Sequence, residues 1–220
     1  MKALKNDVEI ENIKKAFHKD AIALTKFFNW VEQGVKSGSL DEVFAANKLL
    51  DFRSEQDNFL EPSFTTISAY GANAAMPHYD PAKVIPATLQ RKGLYLVDSG
   101  AQYIEGTTDI TRTVALGELT EDEKYHYTLV LKAFIQGVTA KWKKGLTGSY
   151  IDAIVRNPLY REGLDFNHGT GHGVGFVLGV HEGPMVINRM DHKFPLQKGM
   201  VFSIEPGIYI EGSHGIRIEN

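Results

Sequence analysis

The stretch LYLVDSGAQYIEGTTDITRTV at residues 94–114 returns in altered form as VFSIEPGIYIEGSHGIRIE at residues 201–219, and the fold turns on this echo. Each copy opens with an apolar, strand-like run and reaches an acid at a turn, Asp98-Ser99-Gly100 in the first and Glu205-Pro206-Gly207 in the second. Each then comes back through Tyr-Ile-Glu-Gly, starting at Tyr103 and at Tyr209. Lys92-Gly93 and Lys198-Gly199 stand before the two runs, and His78-Tyr79-Asp80-Pro81 is answered by His181-Glu182-Gly183-Pro184. A single tetrapeptide recurs by chance, but an ordered series of matches indicates an internal repeat. The chain reads as one domain of two related halves facing each other across a central site.

The flanking pattern agrees. Ile10, Ile13, Phe17, Leu24, Phe27 and Val31 recur at helical spacing, and Gly34 ends the run. Ser39 with Glu42 predicts a capping box opening a second helix, with Val43, Ala46 and Leu50 turned toward the core. Strands are expected over residues 64–70 and 94–98, with a long return strand over 103–114. Thr120 with Glu123 opens a third helix running toward Gly145, and Ser149 with Asp152 a fourth ending near Gly163. Residues 176–180, 201–204 and 208 onward read as strands again. The order is thus helix, helix, strands, twice over.

Composition narrows the chemistry. The 220 residues carry 24 Lys and Arg against 27 Asp and Glu, a net charge of -3 that offers no basic field for a nucleic-acid backbone. No apolar run reaches the roughly 18 residues a membrane span needs. Residues 1–11 are rich in charge and lack the apolar centre of a signal peptide, so a cytoplasmic location is expected. Cysteine is absent, which removes disulfides, zinc–thiolate centres, iron–sulfur clusters and thiol nucleophiles, and leaves the 8 histidines as the nitrogen ligands.

The acids lie in telling positions. Leu94, Leu96 and Asp98 share one face of a strand by alternation, and Asp109 falls on the return strand with Thr107, Thr111 and Thr113. The second copy repeats the design with Glu205 before its turn and Glu219 beyond it, Arg217 on the same face. Any one of these acids could cap a turn at a solvent edge. Four in duplicated, half-buried positions need a cation or a proton between them.

The histidines concentrate in Asn167-His168-Gly169-Thr170-Gly171-His172-Gly173-Val174-Gly175. The alternate glycines disfavour a helix, so a helical His-x-x-x-His zinc site is excluded, and neither a dinucleotide-binding glycine pattern nor a phosphate loop can be read here. Permissive extended backbone that lets two imidazoles reach a crowded centre is what remains. His78 and His181, at matching places in the halves, join them as candidates, whereas His18, His126, His192 and His214 lack such context. There is no Gly-x-Ser-x-Gly nucleophile elbow.

In these motifs the chain resembles the catalytic domain of the aminopeptidase P and prolidase group of metallopeptidases. The resemblance implies an α+β pita-bread fold, two pseudo-symmetric halves with helices packed on a curved antiparallel sheet. It carries five metal ligands onto Asp98 in LVDSG, Asp109 in TTDITRT, His172 in GTGHGVG, Glu205 in SIEPG and Glu219 in GIRIEN, and further active-site histidines onto His78, His168 and His181. HGTGHGVG followed by VHEGP looks more like aminopeptidase P than prolidase or methionine aminopeptidase. Residues 1–220 are expected to be this catalytic domain, without the N-terminal domain that precedes it in the group or the tail that follows.

Such a site implies two divalent ions. The oxygen-rich donor set suits manganese, with zinc or cobalt as alternatives. Asp109 and Glu219 are expected to bridge the ions, Asp98 to complete one, and His172 and Glu205 the other, so that activated water attacks the scissile carbonyl. The implied substrate is a peptide with proline second, cut before that proline. His168 and His181 are expected to position the peptide, stabilise the oxyanion or carry the proton to the leaving nitrogen, His78 to lie near the proline ring, and Arg217 to orient ligand carboxylates. A homodimer is compatible with the resemblance. The alternatives are a prolidase-type Xaa-Pro dipeptidase, or a catalytically incomplete domain serving as a binding module.

Overall fold

The computed structural model describes residues 2–220. Helix α1, Asp7–Gly34, starts at a capping box in which Asn6 and Glu9 exchange side-chain and backbone hydrogen bonds, and it buries Ile13, Leu24, Phe27 and Val31. Helix α2, Glu42–Ser54, is capped by Asp41, whose carboxylate accepts from Phe44 N at 2.7 Å. This corrects the Ser39–Glu42 capping box: Glu42 points inward and is fully buried. The inward face of α2 is Glu42, Ala45, Leu49 and Arg53 rather than Val43, Ala46 and Leu50. Polar residues can occupy that face because each has a buried partner. Arg53 grips Asp20 of α1 through two bonds of 2.6 and 3.0 Å.

Strands β1 (Phe59–Pro62), β2 (Ile67–Tyr70), β3 (Leu94–Ser99), β4 (Ala101–Tyr103), β5 (Gly106–Thr107) and β6 (Ile110–Ala115) complete the first half. They form two antiparallel sheets, in the orders β2-β3-β6 and β1-β4-β5. The expected single return strand is therefore broken, and Thr108 and Asp109 sit in the break. There Gly100 passes so close that a Cβ on it would lie 2.0 Å from the Thr108 carbonyl. β3 is buried on both faces, where alternation predicts a half-buried strand. Tyr95 and Val97 join the α1–α2 core, while Leu94 joins the core of the second half.

The second half carries α3 (Glu121–Val138) and α4 (Gly148–Tyr160). The Thr120–Glu123 capping box is present, but α3 ends at Val138, short of Gly145. Thr147, not Ser149, occupies the N-cap position of α4, because Asp152 turns inward to Arg156 (2.9 Å) and accepts from Thr170 Oγ1 (2.7 Å). Two short sheets follow: β7 (Gly171–His172) with β8 (Val186–Ile187), and the hairpin β9 (Gly207–Ile210) with β10 (His214–Arg217). The strand expected over 176–180 is a tight loop closed by Gly175 N to Gly179 O at 3.0 Å, and 201–204 contributes only an isolated bridge from Phe202 to Gly173. The halves join where β6 meets β10 and the segment beyond it. Thr113 Oγ1 donates to Arg217 O at 2.9 Å, and Glu219 N donates to Thr111 O at 3.2 Å.

Candidate metal centre

A cavity of about 360 Å³ opens on the inner face, and all nine residues singled out in the sequence line it: His78, Asp98, Asp109, His168, His172, His181, Glu205, Arg217 and Glu219. Each arrives by a different local device. Asp98 is the penultimate residue of β3, on the inner face, opposite Thr111 in the β3–β6 register. Asp109 hangs in the break before β6. His172 is reached through backbone that only glycine allows: a Cβ on Gly171 would lie 1.9 Å from the Ser203 carbonyl. This approach lets residues 170–172 bond to 203–205 (Ser203 N to His172 O, 2.8 Å; Glu205 N to Thr170 O, 2.7 Å), drawing Glu205 beside His172.

Ligand atoms of Asp109, His172 and Glu219 lie within 4.8 Å of one another. His172 Nε2 is 3.3 Å from both Asp109 Oδ2 and Glu205 Oε1. Its Nδ1 is 3.0 Å from the Gly173 carbonyl, which can only accept, so Nδ1 carries a proton and Nε2 faces the acids. Thr111 Oγ1 donates to Glu219 Oε2 at 2.6 Å, and Ser203 Oγ donates to Glu205 Oε1 at 3.0 Å. Arg217 donates to Asp98 Oδ2 at 2.6 Å, which leaves Asp98 Oδ1 buried with no hydrogen-bond partner.

The electrostatics call for positive charge. Burial first, then the neighbouring acids, raise the carboxyl of Glu219 well above its ordinary range. Glu205 is pushed up to about 7, burial again the largest cause, with the Asp98 and Asp109 charges adding to it against the pull of His172. Asp109 is raised by burial and the Asp98 charge despite its bond to His172. Burial alone would lower the His172 imidazole, but Asp109 and Glu205 outweigh it and hold the group above its usual value. Four carboxylates, one of them with an orphaned oxygen, and one imidazole nitrogen lining one cavity fit divalent cations with a preference for oxygen.

The remaining histidines divide. His168 Nδ1 donates to Gly169 O at 2.7 Å, so Nε2 accepts from the Tyr209 hydroxyl at 2.7 Å, and Arg217 donates to that hydroxyl at 2.8 Å. Burial, reinforced by the Arg217 charge, pushes His168 down to about 4 and keeps it neutral. Both its nitrogens are thus engaged, Nδ1 by the Gly169 carbonyl and Nε2 by Tyr209, through which it reaches Arg217. His181 and His78 are exposed at the cavity, and the His181 ring lies 4.1 Å from that of His172, centroid to centroid. His126 and His214 bond to each other at 2.9 Å between α3 and β10, outside the cavity. Sequence reasoning missed Tyr209, Thr111 and Ser203. Tyr209 was visible only as the repeat of Tyr103, whose own hydroxyl contacts Asp20 at 3.4 Å far from the acids.

Comparison with known proteins agrees with this geometry. The profile of metallopeptidase family M24 matches residues 11–220. A probable Xaa-Pro aminopeptidase P of Arthroderma gypseum is 50% identical over 223 residues, covering 100% of this chain and 35% of the relative. One of Pyricularia oryzae is 49% identical, covering 100% and 36%. The chain therefore spans a little over a third of the length of these curated relatives. Among solved structures, X-prolyl aminopeptidase from Caenorhabditis elegans, described as a cytosolic enzyme with a di-nuclear active site, superposes with a TM-score of 0.95 at 43% identity, over 100% of this chain and 36% of that one. Prolidase from Pyrococcus furiosus gives 0.85 at 32% identity, over 100% and 61%. The architecture is the α+β pita-bread fold.

Proposed function

Since the chain belongs to metallopeptidase family M24, we propose that it carries the centre of a dinuclear metal-dependent aminopeptidase that removes the first residue from peptides with proline second. The observation that carries this reading is the convergence of Asp98, Asp109, His172, Glu205 and Glu219 on one cavity, with two exposed histidines beside them. Asp109 and Glu219 would serve both ions, Asp98 one of them, and His172 with Glu205 the other. Manganese suits the donor set, with zinc or cobalt as substitutes. When bound, the ions supply Lewis acidity and activate water.

The chain's own groups do the rest. Thr111 and Ser203 fix the lone pairs of Glu219 and Glu205, and the Gly173 carbonyl fixes the His172 tautomer. Arg217 orients Asp98 and is itself held by Tyr209, which His168 holds in turn. His168 is thereby a positioning group. His181 and His78, with accessible rings, meet the peptide, and His181 is the better placed to steady the developing oxyanion. The likeness to a cytosolic relative supports a cytosolic setting, and no helix among the described residues is long and apolar enough to cross a membrane.

The test is to strip the chain with chelator, titrate Mn2+, and follow release of the first residue from Xaa-Pro and Xaa-Pro-Xaa peptides. Metal-dependent cleavage of the tripeptide, abolished by Asp109→Ala or His172→Ala, is the expected result. Cleavage restricted to the dipeptide would favour the prolidase-type reading, which the likeness to prolidases supports. Two ions bound with neither peptide cut would leave a binding module. Sedimentation of the same preparation decides between monomer and homodimer.

A further inference from the structure

Helix α2 buries a carboxylate that the metal centre does not use. Glu42 is fully buried, and its side chain bonds to donors spread over residues 70–87. Oε1 accepts from Tyr70 N at 2.6 Å and from Asn73 Nδ2 at 3.1 Å. Oε2 accepts from the Tyr79 hydroxyl at 2.6 Å, from Ala87 N at 2.8 Å and from Asn73 Nδ2 at 3.1 Å. One carboxylate thus gathers both ends and the middle of the segment. Its donors are N–H and O–H groups, an arrangement that satisfies both carboxylate oxygens through hydrogen bonds.

That segment carries His78, and the residues on either side of His78 are the ones held. Tyr79 is buried and bonded to Glu42. On the other side the Pro77 carbonyl accepts from Arg217 Nη2 at 3.5 Å, and the same nitrogen donates to Asp98. His78 stands between these two anchors, exposed and lining the cavity. We infer that Glu42 is a positioning residue for substrate: through Tyr79, Asn73 and Ala87 it fixes the 70–87 segment and so sets where the His78 imidazole meets the peptide. This rests on the aminopeptidase reading above, but its physical content is the placement of one ring.

The inference separates peptide binding from metal binding. Glutamine at position 42 offers one acceptor oxygen where the segment needs two, so Glu42→Gln frees part of it without touching a metal ligand. Kinetics of the Mn2+-loaded chain on a Xaa-Pro-Xaa tripeptide should show KM raised about tenfold with kcat held, the size expected from one buried polar group left unpaired. Mn2+ affinity by calorimetry should be unchanged, and hydrogen exchange should quicken over 70–87. Tyr79→Phe removes one bond and should move KM in the same direction by less, which keeps the test open should Glu42→Gln fold poorly. The double variant Glu42→Gln/His78→Ala should be no worse than His78→Ala alone.

Losses that add in the double variant, or a parallel fall in Mn2+ affinity, would overturn the inference. Should the wild-type chain cut no peptide, the aminopeptidase reading fails on that ground. The placement is then judged by the imidazole NMR signals: Glu42→Gln and Tyr79→Phe should shift His78 and leave His168 in place. An unmoved His78 signal would refute it.

Discussion

Thr111 shows how much of a metal centre is set by residues that would never touch an ion. Its hydroxyl donates to Glu219 at 2.6 Å while its own carbonyl accepts from Glu219 N, so one threonine fixes that acid at both side chain and backbone. Thr111→Val keeps the shape and removes the hydroxyl, leaving one oxygen of a buried carboxylate without its donor. Mn2+ affinity measured by calorimetry should weaken by about 10–100-fold while the melting temperature of the metal-free chain moves little. An affinity within a factor of two of wild type would show that Glu219 orients itself. The nine chemical residues were legible because duplication singled out the acids, His78 and His181, the glycine run singled out His168 and His172, and the family resemblance joined them into one site. Thr111, Ser203 and Tyr209 were not. Threonine and serine are common in strands and turns, and only the contact across the two halves gives these their meaning.

At the scale of elements, α2 teaches the limit of reading helices by apolar spacing. Its inward positions 42, 45, 49 and 53 keep the helical period, but the first and last are charged. A pattern search that counts only apolar residues therefore slides to Val43, Ala46 and Leu50 and rotates the helix. What reverses the choice is a set of partners distant in sequence: Asp20 for Arg53, and the 70–87 segment for Glu42. The return strand fails for a related reason. Residues 103–114 alternate well enough for one strand, yet the close pass of Gly100 against Thr108 forces a break that sequence alternation cannot register. The Asp20–Arg53 pair is a stability element separate from the chemistry. Arg53→Met should lower unfolding free energy by about 3–5 kcal/mol in denaturant melts, because Asp20 is left charged and buried, while Mn2+ affinity stays put. A loss below about 1 kcal/mol would mean that Asp20 finds water or another donor.

For the whole molecule, the halves are joined by packing and by the site itself. Asp98 and Asp109 come from the first half, and His172, Glu205 and Glu219 from the second, so an ion held among them ties the halves together only when both are folded. At free Mn2+ a hundredfold above the dissociation constant, a single site should add about 2.7 kcal/mol of stability. In a chain of this size that is a rise of about 5–10 °C in melting temperature, lost again on adding chelator. A melting temperature indifferent to metal would show that the ligands are not assembled as described. The duplicated architecture was plain in the sequence, helix pair and strands in each half. The division of the strands into four small sheets was not, since 176–180 and 201–204 carry strand-like residues but bond mainly through isolated bridges and a loop.

The seam between the halves also bears on how the chain comes off the ribosome. Arg217 reaches back 119 residues to Asp98, and Glu219 is held by Thr111 from 108 residues away. Contacts this distant form late, after the entropy of closing long loops has been met. The first half can therefore emerge and pack its helices on its own strands while its two aspartates still face water. Until residues 217–219 are free of the exit tunnel Glu219 cannot dock against Thr111, so the cavity is completed only after the whole second copy of the repeat has been made.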